Sequence, residues 1–335
     1  MNNQTSGDSA LQIMRTVPSL TIVVPCYNEA EVFIYCVDAL NKIVTDLVLR
    51  KKIEKNSRIL FVDDGSKDNT WLQITEAAKK LDYVQGLKLS RNRGHQTALI
   101  AGLSVVDTDV CISIDADLQD DIKCIEQMID KYMLGNDIVY GVRNDRSKDS
   151  FFKRNTANIF YGSMSAMGVN QIENHADYRL LSKRALAALL EFKEQNLYIR
   201  GLIPLLGFNS DKVFYTREER VAGESKYPLK KMLGLAIEGV TSLTVTPLRL
   251  ICALGFLTCF FSLLAIIYIL VAKFTGQVIE GWTSVIISIF FLSGVQLLSL
   301  GVIGEYVGKI YLETKRRPKF FIDEQTDNKL GHDKE

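Results

Sequence analysis

The sequence predicts an α/β protein with a mostly parallel, doubly wound sheet, followed by a membrane-associated C-terminal part. Two observations lead to this fold class. In residues 19–141, short apolar runs alternate with amphipathic runs of helical length, which is typical of such sheets. In residues 246–308, charged residues become rare and two long apolar runs follow one another. A chain of 335 residues is long enough to hold both parts.

Charge and cysteine usage narrow the class of protein. The chain has 40 Lys and Arg against 39 Asp and Glu, so no overall field indicates a nucleic-acid partner. Its six cysteines show no Cys-x-x-Cys spacing, which indicates reduced thiols in a cytosolic environment. Residues 1–18 are polar and lack a signal-peptide pattern. We therefore expect a flexible N-terminus and a cytoplasmic domain over residues 19–227.

The individual elements follow from hydrophobic pattern and capping residues. Apolar runs bounded by turn residues predict strands, and amphipathic runs that start near Asn or Asp predict helices. Strands are predicted at 19–25, 57–62, 84–89, 110–114, 138–141 and 213–217. Helices are predicted at 28–49, 68–81, 96–106, 121–134, 151–167 and 183–192.

Polar clusters follow three of these strands. Parallel strands bring their carboxyl ends to one edge of a sheet, where open α/β folds bind ligands. Mg²⁺ and Mn²⁺ prefer hard oxygen ligands and are often held by one or two carboxylates plus substrate phosphates. We therefore predict that Asp115 and Asp117, with the amide of Gln119 nearby, hold such an ion beside a diphosphate.

The other two clusters suit the rest of a nucleotide ligand. Tyr27 is placed to stack on a base, with Pro25 and Glu29 beside it. Asp64 is placed to accept a hydrogen bond from a base N–H or a sugar hydroxyl. The sequence contains neither a P-loop nor a Gly-x-Gly-x-x-Gly pattern, which argues against an ATPase and a dehydrogenase.

The C-terminal part predicts a membrane hairpin. Residues 250–272 and 283–304 carry no charge, and at about 1.5 Å per residue each is long enough for a hydrocarbon core of about 30 Å. Basic residues flank both outer ends, which places both ends in the cytoplasm. We expect an amphipathic helix at the membrane surface over 228–245 and a basic cytoplasmic tail over 309–335.

Six motifs follow one another along the chain: Val24-Pro25-Cys26-Tyr27-Asn28-Glu29, Asp63-Asp64-Gly65-Ser66, Ser90-Arg91-Asn92-x-Gly94-His95-Gln96, Asp115-Ala116-Asp117-Leu118-Gln119, Asp177-Tyr178-Arg179-Leu180 and Arg217-x-x-Arg220-x-x-Gly223-x-Ser225-Lys226-Tyr227. Together they resemble the motifs of family 2 glycosyltransferases of the GT-A fold. More narrowly, they are similar to those of the polyisoprenyl-phosphate glycosyltransferases, the group of bactoprenol glucosyl transferase and, more distantly, dolichyl-phosphate mannose synthase. The likeness covers about residues 19–315, with departures at Arg93 and Asp121.

The resemblance implies an activity. The donor would be a nucleotide sugar, UDP-glucose in the first place, and the acceptor undecaprenyl phosphate at the bacterial inner membrane. Transfer would invert the anomeric carbon, with Mg²⁺ or Mn²⁺ as cofactor and a homo-tetramer as the assembly. Asp177 would be catalytic, either as a base or by orienting Arg179 and the sugar hydroxyls, and Asp117 would act with it. Phosphate contacts would come from Arg143, Arg154, Arg217, Ser225 and Lys226.

Other functions stay open at this point. The same fold could transfer mannose or an amino sugar from another nucleotide sugar. A processive polysaccharide synthase shares the Asp-x-Asp motif, but it normally carries a Gln-x-x-Arg-Trp motif that this sequence lacks. A membrane scaffold with an inactive transferase domain is a third possibility. The sequence argues against it, because all the acidic positions expected in the motifs are present.

Overall fold

The computed structural model describes residues 15–144, 175–195, 198–216, 245–275 and 281–326. The chain divides into two compact units. The sheet unit consists of residues 1–161, 170–227 and 318–335, and the apolar unit of residues 162–169 and 228–317. The predicted helices at 151–167 and 228–245 lie outside the described residues, except for Val245.

One eight-stranded sheet organises the sheet unit, in the order β7-β5-β6-β4-β1-β2-β3-β8. The pairs β1/β2, β1/β4, β2/β3 and β5/β7 are parallel, whereas β4/β6, β5/β6 and β3/β8 are antiparallel. The predicted mostly parallel α/β sheet is therefore confirmed. The strands are β1 Leu20–Cys26, β2 Arg58–Asp63, β3 Val84–Leu89, β4 Val110–Ser113, β5 Ile138–Arg143, β6 His175–Ser182, β7 Ser210–Tyr215 and β8 Ile322–Gln325.

Helices cover both faces of this sheet. The central strands are buried along their whole length, and alternate residues of β1 contribute to different core clusters, since side chains alternate across a strand. Helices α1 (Ala30–Leu49), α2 (Thr70–Lys80) and α4 (Cys124–Met133) contribute to one cluster. Helices α3 (His95–Ser104), α5 (Lys183–Leu190) and α6 (Ile199–Leu205) contribute to the other.

The strand order reverses its direction beside β1. The chain moves from β1 through β2 to β3 in one direction, and then places β4 on the opposite side of β1. This reversal leaves the carboxyl ends of β1 and β4 adjacent without a crossover helix between them, which is where open α/β sheets bind ligands. Strand β6 enters antiparallel beside β4, with Arg179 opposite Ser113, so its early residues reach the same edge.

The end of the chain differs from the expected tail. Residues predicted as the start of a basic cytoplasmic tail at 309 continue a helix to Lys315, and Ile322–Gln325 form strand β8 at the edge of the sheet. The sequence Ile-Asp-Glu-Gln has little apolar pattern, and all four of its side chains are exposed. Its place in the sheet therefore depends on backbone pairing with β3 rather than on burial.

The apolar unit contains two long helices where two apolar runs were predicted. Helix α7 spans Thr246–Phe274 and helix α8 spans Trp282–Lys315. Within the described residues, one helical stretch, Phe291–Lys315, is long and apolar enough to cross a membrane, and Thr246–Thr258 is a shorter apolar stretch.

Candidate active site

The turns after β1 and β2 are tied to each other. Asn28 has a left-handed backbone, with φ of 54°, and its backbone N–H donates to the Ser66 hydroxyl at 2.9 Å. In return, the Asn28 side-chain oxygen accepts from the Lys67 backbone N–H at 2.8 Å. The Tyr27 side chain is 40% exposed, whereas Pro25 is buried within β1. Tyr27 is thus accessible to a ligand from solvent, whereas Pro25 is packed inside the sheet.

Asp64 is buried and holds the loop that precedes α3. Its two carboxylate oxygens accept the backbone N–H groups of Arg93 at 2.7 Å and Gly94 at 2.8 Å. The next residue, Gly65, has φ of +66°, and an added Cβ would lie 2.6 Å from the Arg91 carbonyl carbon. Only glycine allows this close approach, so the Asp64-Gly65 pair fixes where the loop of residues 90–94 lies.

The acids after β4 follow the carboxyl end of that strand. One oxygen of Asp115, Oδ1, is buried and accepts no hydrogen bond from the described residues, and His95 Nε2 lies 3.5 Å from it. Burial raises the pKa of Asp115, and the charge of His95 opposes that shift. Asp117 Oδ1 accepts the backbone N–H of Gln119 at 3.2 Å.

These acids suit a hard cation that the substrate helps to hold. Among the described residues, no three His, Cys, Asp or Glu side chains form a ready-made metal cage. Mg²⁺ seldom needs one, because phosphate oxygens and water complete its coordination. The buried, unpartnered Asp115 Oδ1 is the kind of acceptor that such an ion would satisfy.

Asp177 is the most heavily contacted acid at this edge of the sheet. Its carboxylate accepts hydrogen bonds from Arg179 and from Gln96 Nε2 at 3.2 Å. Arg200 donates through Nε and Nη2, each at 3.1 Å, and His95 Nε2 lies 3.4 Å away. The side chains of Asp177 and Arg179 are 6% and 1% exposed, so this is a buried ion pair.

The charges around Asp177 determine its protonation. Burial alone would raise the pKa of Asp177, but the hydrogen bond with His95 and the charges of Arg179 and Arg200 outweigh it. The pKa of Asp177 therefore lies well below 3.8. A carboxylate with so low a pKa is a weak proton acceptor at neutral pH.

Two site contacts were not anticipated from the sequence. Arg200, on α6, carries a half-exposed guanidinium into the cluster, but sequence analysis assigned no element there because the run is short and apolar. Arg143, predicted to contact phosphate, donates to the buried Asp120 at 2.9 Å. The Tyr215 hydroxyl shares that carboxylate at 2.5 Å. The predicted site residues Arg154, Arg217, Ser225 and Lys226 lie outside the described residues.

Comparison with known proteins shows the family of this chain. Residues 21–190 match the model of glycosyl transferase family 2. An uncharacterized glycosyltransferase of Bacillus subtilis, YkoT, is 52% identical over 91% of this chain and 91% of its own length. The bactoprenol glucosyl transferase of Shigella phage SfX is 39% identical over 90% of this chain and 98% of its own length.

A fold of this kind with these relatives defines a glycosyltransferase. The chain belongs to glycosyl transferase family 2, as its motifs predicted. A solved structure of glucosyl-3-phosphoglycerate synthase from Mycobacterium tuberculosis with Mn²⁺ and UDP is 14% identical, with a TM-score of 0.45 over 68% of this chain and 77% of its own.

Proposed function

We propose that the protein transfers glucose from UDP-glucose to undecaprenyl phosphate, with inversion, on the cytoplasmic face of the bacterial inner membrane. The observation that carries the proposal is the meeting of Asp64, Asp115 and Asp177 around the start of α3, at the carboxyl ends of β2 and β4. Relatives named bactoprenol glucosyl transferase, 38–39% identical over most of the chain, support the choice of sugar and lipid.

The acids after β4 would hold the cofactor. Asp115 and Asp117, with Gln119 beside them, would bind Mg²⁺ or Mn²⁺ next to the donor diphosphate. When bound, the ion supplies Lewis-acid stabilisation of the charge on the departing nucleotide diphosphate. Tyr27 and Glu29 would contact the nucleotide, and Asp64 would keep the loop of residues 90–94 against it.

The acceptor needs a cationic position more than a base. A phosphate monoester has a second pKa near 6, so it is already mostly a dianion at pH 7. We therefore assign Asp177 a positioning role: its low pKa suits a fixed counter-charge that orients Arg179, Arg200 and His95. Arg200 and His95, whose side chains are 40% and 42% exposed, are the members of this set that are open to an incoming phosphate.

The membrane part of the proposal is a two-pass hairpin. Strand β8 pairs with β3, so the chain before the apolar unit and the chain after it lie in the same sheet. A membrane segment whose two ends return to one folded unit crosses the bilayer an even number of times. Phe291–Lys315 is long and apolar enough for one crossing, and we assign the second crossing to the 29-residue helix α7.

The remaining parts of the proposal rest on the resemblance and on the relatives. Arg154, Arg217, Ser225 and Lys226 would contact the donor or lipid phosphate, the segment 228–245 would lie at the membrane surface, and the protein would assemble as a homo-tetramer. Transfer of mannose or an amino sugar to the same lipid is the second candidate, because its donor would use the same acids.

Transfer by isolated membranes tests the reaction. Membranes containing the protein, undecaprenyl phosphate and Mg²⁺ or Mn²⁺ are offered radiolabelled UDP-glucose, UDP-amino sugars and GDP-mannose. We expect label in the lipid fraction with UDP-glucose, loss of transfer in Asp115→Asn and Asp117→Asn, and normal transfer in Asp38→Asn, a surface acid on α1. An α-linked product by NMR would exclude a single displacement, and labelling from GDP-mannose alone would favour the second candidate.

Reporter fusions test the hairpin. Green fluorescent protein fluoresces when it folds in the cytoplasm but not after export in unfolded form. We expect fluorescence from a fusion after Glu335 and none from an insertion between α7 and α8. A dark C-terminal fusion in a protein that retains transfer would contradict an even number of crossings.

A further inference from the structure

The chain that follows α8 is tied to the sheet along its whole described length. We call residues 318–326 the C-terminal strap. At its far end β8 pairs with β3, with Lys88 opposite Glu324, and the Thr326 backbone N–H donates to the Gly86 carbonyl at 3.0 Å. The Glu324 carboxylate also accepts from Lys88 Nζ and from Trp71 Nε1, at 2.5 and 3.2 Å. The strap is therefore fixed to β3 and α2.

The near end of the strap contacts the loop that leads to the active site. The Ser90 backbone N–H donates to the Phe321 carbonyl at 3.0 Å. Arg93 donates from Nε to the Lys319 carbonyl at 2.6 Å and from Nη2 to the Pro318 carbonyl at 3.4 Å. Phe320 packs against the core cluster that contains α3. These contacts join the strap to the loop of residues 90–94.

Arg93 connects both sides of this loop. Its backbone N–H donates to Asp64 in the candidate active site, while its side chain holds the strap. The planar guanidinium can reach two carbonyls at once because its N–H groups point in fixed directions. The loop is thus held between Asp64 on one side and the C-terminal strap on the other.

We propose that Arg93 is a positioning residue for the sugar donor, which acts by tying the loop of residues 90–94 to the C-terminal strap. The inference rests on the proposed function in one respect, that Asp64 belongs to the donor site. Without the tether, the loop would lose side-chain support while its two hydrogen bonds to Asp64 remained. Donor binding would weaken because part of its energy would be spent in ordering the loop.

The first measurement is donor affinity. Full-length protein in detergent with Mg²⁺ or Mn²⁺ is titrated calorimetrically with UDP, and steady-state transfer is measured with UDP-glucose. For Arg93→Ala we expect Kd and KM to rise about three- to tenfold, the range for one or two hydrogen bonds, while kcat stays within about twofold. Arg93→Lys keeps the charge and one donor and should fall between. Lys80→Ala, an exposed cation on α2, is the matched control and should behave as wild type.

The second measurement reads the tether directly. Hydrogen–deuterium exchange of the same proteins should show faster exchange in Arg93→Ala in two separate peptides, one over residues 86–94 and one over 318–326. Glu324→Ala, which loosens the strap without touching the loop, should raise the UDP Kd in the same direction. Unchanged exchange in the strap peptide, or a normal Kd in both variants, would overturn the proposal.

The two readouts separate this inference from the proposed function. If wild-type protein neither binds UDP nor transfers glucose, the proposed donor is wrong, and the tether is judged by exchange alone. If wild-type protein transfers glucose but Arg93→Ala and Glu324→Ala leave KM unchanged, the positioning role is wrong and the proposed function stands. Should Arg93→Ala fold poorly, as a large fall in Tm would reveal, Arg93→Lys decides.

Discussion

The ion pair between Asp177 and Arg179 makes a quantitative prediction about stability. Asp177→Asn keeps the shape of the side chain but removes the charge that faces a guanidinium only 1% exposed. Breaking a buried pair from one side costs about 3–5 kcal/mol. Arg200→Ala removes two hydrogen bonds to the same carboxylate from a side chain that is 40% exposed, so water compensates for most of the loss. We expect about 1 kcal/mol or less for that change.

Thermal unfolding in detergent, followed by intrinsic fluorescence, measures the contrast. A domain of this size loses about 2–4 °C in Tm per kcal/mol, so Asp177→Asn should lower Tm by about 6–20 °C and Arg200→Ala by no more than about 4 °C. Asp38→Asn, which changes an exposed pair on α1, serves as the control and should leave Tm unchanged. Equal losses in the two site variants would refute the reasoning, because Asp177 would then not be the main counter-charge of Arg179.

Three further predictions concern stability in the sheet unit. Gly65→Ala should lower Tm by at least about 4 °C, because φ is +66° and the new Cβ would meet the Arg91 backbone at 2.6 Å; an unchanged Tm would show that the loop moves freely. Hydrogen bonds and nearby arginines outweigh burial and lower the pKa of Asp137. A carboxyl group whose pKa is lowered by folding stabilises the folded state at pH values above its unfolded pKa of about 3.9. This stabilisation is lost as the pH falls through the pKa of the folded state. The Tm deficit of Asp137→Asn should therefore be largest near pH 7 and shrink below about pH 4, and a constant deficit would contradict this. Tyr215→Phe removes a donor to the buried Asp120 and should cost about 1–2 kcal/mol in chemical denaturation, whereas no loss would mean that water replaces the hydroxyl.

Much of the sheet was predictable because its signal is local. Strands β1 to β5 are apolar runs bounded by turn residues, and helices α1, α2 and α4 show clear amphipathic patterns. The place of the acids after β4 was predictable for the same reason, because they directly follow a buried strand, and their use as metal ligands stays a prediction. The structure adds that Asp115 and Asp177 both lie within 3.5 Å of His95 Nε2.

The parts that were missed depend on contacts between distant residues. Strand β8 is short and polar, and it forms because the edge of β3 offers it backbone hydrogen-bonding groups. The two strands are far apart in the sequence: Lys88 and Glu324, which are in contact, are separated by 236 residues. Arg200 lies in an apolar stretch with no recognisable motif, and only the fold brings it to Asp177. The contact between Arg143 and the buried Asp120 was missed for the same reason, because only the fold brings the two residues together.

The position of β8 in the chain also sets an order of synthesis. A nascent chain that has reached Arg317 already contains every described strand except β8, together with both long helices. Until residues 322–325 leave the ribosome, β3 presents an open row of backbone hydrogen-bonding groups, the kind of edge on which strands from other chains assemble. The sheet can thus be completed only after the apolar unit has been made. A transcript truncated within α8 would yield a protein with an unprotected edge, exposed to aggregation and to quality-control proteases.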